Sequence, residues 1–117
     1  MQNFQVSAEI KSDQELHKTF VRLGYGRFRL ANELLVILPE IFKRKIYLKY
    51  TRTIEEYAGK FGGLSKEVVK KRLRVEKYVH DKPKLKAAIV TEGIHKVALV
   101  ASLATVENEA IWADKLS

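Results

Sequence analysis

The sequence predicts an all-α domain, a compact bundle of about six or seven helices, and three observations carry that expectation. Apolar residues recur at helical spacing along nearly the whole chain, with no sustained period-two alternation. No Asn-Gly or Asp-Gly pair offers a hairpin turn. Two segments, Ser12-Asp13-Gln14-Glu15 and Thr53-Ile54-Glu55-Glu56, have the form of capping boxes, in which a hydroxyl and a carboxylate satisfy backbone N–H groups that a helix start leaves open.

Residues 1–11 read as a flexible tail and residues 12–117 as one helical domain. After the Ser12 cap, a first helix is expected over about Asp13 to Leu23, with Leu16, Phe20 and Leu23 on one face and Gly24 ending it. Gly24-Tyr25-Gly26 reads as a break. A strongly apolar helix follows from Phe28 to Leu38, with a wide face of Leu30, Leu34, Ile37 and Leu38, and Leu35 and Ala31 beside it, expected to be central. Pro39 suits the first turn of a new helix, so a third segment is expected to start or kink there and reach about Leu48.

Thr53 then caps a short helix to about Phe61, which Gly62-Gly63 terminates, and Ser65 caps a long one from Lys66 to Val79. Pro83 marks the next start and Gly93 its end. The remainder is expected to hold a helix from His95 to Ala104, a cap at Thr105 and a last helix from Val106 to Lys115.

Composition narrows the function. The 117 residues are 46% apolar, enough for a core without staples, and the absence of cysteine excludes disulfides, Cys-ligated metal and thiol nucleophiles. No apolar run approaches a membrane span, and Met1 to Ser12 lacks the basic-then-apolar order of a signal peptide, so the sequence predicts a cytoplasmic protein with no membrane partner. The net charge of +8 is concentrated: residues 41–86 hold fifteen basic and five acidic side chains, whereas residues 1–40 hold five of each. Such a surplus raises the local concentration of a polyanion and points to nucleic acid.

Residues 53–79 have the organisation of a helix-turn-helix: a capped short helix, small Ala58 where helices approach, a glycine turn, Leu64 as a plug and Ser65 as the second cap. The turn reads one residue longer than usual. On a helical wheel Val68, Val75 and Val79 cluster with Val69 and Leu73 beside them, while Lys66, Lys70, Arg74 and Lys77 fall opposite. That stripe suits phosphate contact, with Arg74 able to reach a guanine edge and Ser65 a phosphate at the helix start. Lys71 and the run Lys43-Arg44-Lys45 would add phosphate contacts. Tyr47, Tyr50, Tyr57 and Tyr78 could stack on single-stranded bases or serve the core.

The runs Leu38-Pro39-Glu40-Ile41-Phe42-Lys43-Arg44-Lys45-Ile46-Tyr47-Leu48, Ile54-Glu55-Glu56-Tyr57-Ala58 and Leu64-Ser65, with Asp81-Lys82-Pro83 and Glu92-Gly93-Ile94-His95, carry a likeness. Together they resemble the helical region that precedes the nuclease module in certain bacterial HNH endonuclease proteins, and more distantly the DNA-binding domain of ParB-type partition proteins. The resemblance spans roughly residues 15–117 and implies a DNA-positioning domain rather than the catalytic one. On it, a nuclease module would lie beyond Ser117.

No enzyme motif emerges from the residues themselves. His17, His80 and His95 are widely spaced, no pair has ligand spacing, and no phosphate loop or nucleophile elbow is present, so neither catalytic nor metal-binding residues are expected and no cofactor is implied. A second reading, of another class, is a helical interaction or dimerisation module, with Trp112, Ile111 and Leu116 as an anchor or as the lid of the core. RNA in place of DNA fits the same basic face.

Overall fold

The computed structural model describes residues 12–117, so the expected tail at residues 1–11 lies outside the described residues. Six α-helices and one 3-10 helix make up the chain: α1 (Asp13–Lys43), the 3-10 helix (Ile46–Lys49), α2 (Ile54–Gly62), α3 (Lys66–Val79), α4 (Pro83–Glu92), α5 (Ile94–Val100) and α6 (Glu109–Leu116). No strand occurs among the described residues. The C-terminal half of α1 packs against α2, α3 and α4, and α5 and α6 close the bundle over α4. The core is small and aliphatic, built on Leu35, Leu38, Val69, Val79, Leu85, Ile89 and Val97.

The capping chemistry forms as the sequence expects. Ser12 and Thr53 close reciprocal boxes with Glu15 and Glu56, and the Ser65 hydroxyl accepts from the Val68 N–H at 3.2 Å. Pro83 occupies the first turn of α4 and Gly93 ends it at φ +90°. One cap comes from a distance: the buried Glu109 carboxylate of α6 accepts from the Lys84 N–H at 2.7 Å and the Leu85 N–H at 3.4 Å. That places a negative charge on the N-terminus of α4 and ties the last helix to the middle of the chain.

Several expectations are corrected. The three helices expected over Asp13 to Leu48 are one 31-residue helix that runs through Gly24, Gly26 and Pro39 and ends at Lys43. Two glycines cost roughly 1 kcal/mol each relative to alanine, which weakens a helix without ending it. The break comes instead at Lys45, with φ 58°, ahead of the 3-10 turn. The buried face of α1 is also rotated: Asn32, Leu35 and Leu38 are buried, whereas Leu30, Leu34 and Ile37 remain exposed. Further along, α5 stops at Val100, and α6 starts only at Glu109 because Thr105 and Asn108 close a turn on each other.

Pro39 is carried inside α1 by a partner on another helix. In a regular helix the Leu35 carbonyl would accept from the N–H of residue 39, which proline lacks. Arg72 of α3, fully buried, donates its Nε to that same carbonyl at 2.7 Å. Its Nη2 lies 2.8 Å from Glu76 Oε1, and Glu76 Oε2 lies 3.1 Å from Lys86 Nζ on α4. Burial pushes the Arg72 guanidinium down from its usual range, and Glu76 opposes the shift. Three helices thus meet at one buried cation.

Candidate nucleic-acid interface

α2 and α3 pack against each other through a connection of three residues, Gly63-Leu64-Ser65. Gly62 is still helical, which removes the extra turn residue that the sequence alone suggests. Gly63 takes the left-handed conformation, φ 66°, and its N–H bonds to the Gly59 carbonyl at 3.1 Å. Leu64 follows with its N–H on the Ala58 carbonyl at 3.1 Å, and its half-buried side chain packs on the core. Ala58 is buried, and a Cβ on Gly62 would meet Leu34 Cδ1 at 3.3 Å, so α2 approaches α1 as closely as small residues permit.

The position of α3 follows from what it buries. Val69, Arg72, Val75 and Val79 face inward, with Val68 and Leu73 half-buried at the edges. The helical wheel places Val75 and Val79 correctly, sets Val68 at the centre where Val69 is the buried residue, and misses Arg72, which stands at the centre of the buried face. With that face fixed, Lys66, Lys70, Arg74 and Lys77 are all exposed along the opposite side. None of the four forms an ion pair among the described residues, and Lys77 Nζ rests 5.0 Å above the Tyr78 ring.

The remaining candidates divide. Lys43, at the end of α1, and Lys77 line one groove of about 400 Å³ between α1, α3 and α4, together with Lys86, Glu40 and Glu76. This joins the basic end of α1 to the lower half of the α3 stripe. Arg44 is exposed but turned back onto Glu40, at 2.7 Å, and that contact holds the Glu40 carboxyl below its usual range. Lys45 is exposed at the corner before the 3-10 helix. Lys71, expected as a supporting phosphate contact, is half-buried and donates to His95 Nδ1 on α5 at 2.9 Å. Ser65 is exposed at the start of α3, its hydroxyl already engaged as the cap.

Tyr50, Tyr57 and Phe61 form one ring cluster, with centroid separations of 5.1–6.1 Å, and Tyr47 stacks on Phe42. The first cluster joins α2 to the segment before it and the second joins the 3-10 helix to α1, while Tyr78 packs against the core beneath Lys77. Trp112 packs against the core as its lid. Among the described residues no group of His, Asp or Glu could hold a metal ion, and no helix is long and apolar enough to cross a membrane. Comparison with protein-family models, with curated proteins and with solved structures returns no match.

Proposed function

We propose that this chain is a DNA-binding helical domain that engages duplex phosphates through α3. The observation that carries the reading is the exposed stripe Lys66, Lys70, Arg74 and Lys77, without ion pairs among the described residues, on the second helix of a helix-turn-helix-like pair. Lysines at this spacing neutralise phosphates without reading sequence, while the planar guanidinium of Arg74 can also meet a guanine edge. Lys43 and Lys45 extend the cationic surface from the end of α1, and Ser65 and Arg44 flank it. The resemblance to the helical region preceding HNH nuclease modules adds a role: the domain positions DNA for chemistry performed elsewhere.

Fluorescence anisotropy with a random-sequence duplex tests the reading. Lys70→Ala/Arg74→Ala is expected to weaken binding at least about tenfold, since each phosphate or base contact contributes on the order of 1 kcal/mol. Both residues are exposed, so the fold should be unchanged by circular dichroism. Equal affinity of the folded double variant and the parent would refute the assignment of α3. A single-stranded RNA of the same length distinguishes the nucleic-acid class.

A further inference from the structure

The first half of α1 is an arm that projects from the bundle. Asp13 to Arg27 is exposed at every position but Thr19, and the bundle begins at Phe28, whose ring lies beside Gly93. The arm raises the radius of gyration to 17.3 Å, where a chain of this length packed into a sphere-like domain has about 13 Å. Four turns of helix with two internal glycines are marginal in water on their own. The apolar residues along this face are also ordered. Leu16, Phe20 and Leu23 on the arm and Leu30 and Leu34 beyond it follow one another at alternating spacings of four and three, with Arg27 filling one place in the repeat, which continues through Ile37 and Ile41. This is a heptad seam, with leucine at three consecutive d positions.

We propose that the arm pairs with the arm of a second copy of this chain, as a two-stranded antiparallel coiled coil. A heptad seam calls for another heptad helix, and the next longest helix among the described residues, α3, has 14 residues and buries its own apolar face. The seam is self-complementary, as a two-fold interface must be. Phe20 is 79% exposed, Leu30 65%, Leu23 43% and Leu16 38%. With side chains of this size presenting on the order of 200 Å² each, the seam from Leu16 to Leu30 offers roughly 450 Å² of apolar surface, and two such seams present about 900 Å², close to the ~1,000 Å² that a specific interface needs. The seam also opens into a groove of about 1010 Å³ walled by the turn Gly62, Gly63 and Leu64.

Charge sets the direction. A parallel pair places Arg27 against the partner's Arg27 inside the seam, and two strongly basic bodies side by side. An antiparallel pair centred between Val21 and Arg22 sets Phe20 against the partner's Leu23, and brings Arg27 within a turn of the partner's Asp13 in the acidic first turn. It also sends the two α2–α3 units to opposite ends.

Sedimentation velocity of the full chain from low to high micromolar concentration is the test. A mass approaching twice 13.5 kDa is expected. Phe20→Glu/Leu30→Glu, which alters exposed positions only, is expected to restore the monomer with its helical spectrum retained in the bundle. A monomer at every concentration, or a dimer that survives those substitutions, overturns the proposal. So does a monomer that dimerises only after removal of residues 1–11, because the chain's own N-terminal segment would then be the cover. The chain has no cysteine, so Leu16→Cys/Arg27→Cys reports direction. The two positions lie about 16 Å apart on one helix, beyond disulfide reach within a protomer. Antiparallel pairing gives interchain disulfides in this variant and none in Leu16→Cys alone, whereas crosslinking of Leu16→Cys alone overturns the orientation.

Discussion

Replacing Arg72 and Pro39, singly and together, tests how α1 and α3 are joined. Arg72→Met keeps most of the side-chain volume but removes the donor on the Leu35 carbonyl, 2.7 Å away, and the cation 2.8 Å from Glu76. A buried carbonyl left without a partner costs about 1–3 kcal/mol, and Glu76 keeps its pairing with Lys86, 3.1 Å away, so the carbonyl dominates the loss. Pro39→Ala acts in the opposite direction. It restores an N–H to the same carbonyl and relieves part of the roughly 3 kcal/mol penalty of a proline inside a helix, less about 0.4–1 kcal/mol for a freer unfolded chain. If the two residues serve one carbonyl, Pro39→Ala stabilises the Arg72→Met background by about 1–3 kcal/mol more than it stabilises the parent. Urea unfolding followed by circular dichroism, at one fixed protein concentration, gives all four stabilities. Additivity within about 0.5 kcal/mol would refute the shared-carbonyl account.

Other expected outcomes follow from single contacts. Glu109→Ala removes the charged acceptor of two backbone N–H groups at the start of α4 and should cost about 1.5–3 kcal/mol in the same urea assay, with Glu109→Gln intermediate. Gly63→Ala forces a left-handed alanine into the turn before α3 and should cost about 1–2 kcal/mol, whereas Gly63→Asn should cost less. The hydrogen bond from Lys82 holds the Asp81 carboxyl below its usual range. Its stabilising share is therefore present above the unfolded-state value and is lost as pH falls through the lower folded-state value. A difference in melting temperature between the parent and Asp81→Asn should be present at neutral pH and disappear at about pH 2, below the ordinary carboxylate range.

Helix starts are legible in the sequence because they are local. Ser12, Thr53, Ser65 and Pro83 act within one turn of themselves, and each begins the helix expected of it. The stops in the first half are not, because Gly24 and Gly26 weaken a helix without ending it, and the effect of Pro39 depends on a partner far along the chain. Pro39 looks like a boundary until Arg72, on another helix, supplies the missing donor. The exposed face of α3 is legible from its wheel, since valines and lysines sort onto opposite sides. Arg72 is not, because a cation at the centre of a buried face contradicts the pattern that identifies the face. The apolar stripe of α1 looks like core for a related reason: periodicity shows that a face is to be covered, and does not say by what. Asn32, in contrast, is buried with its side-chain amide on the Val90 carbonyl at 3.1 Å, a bond only the fold reveals.

The most direct test of the functional account is the salt dependence of duplex binding. If α3 tracks phosphates, log affinity should fall linearly with log salt, and Lys70→Ala/Arg74→Ala should reduce the slope by close to two units, about 0.9 for each phosphate no longer neutralised. Lys96→Ala/Lys115→Ala removes the same charge from α5 and α6, outside the residues assigned to the interface, and should leave the slope unchanged. Equal reductions in the two double variants would contradict the account, because binding would then respond to net charge alone.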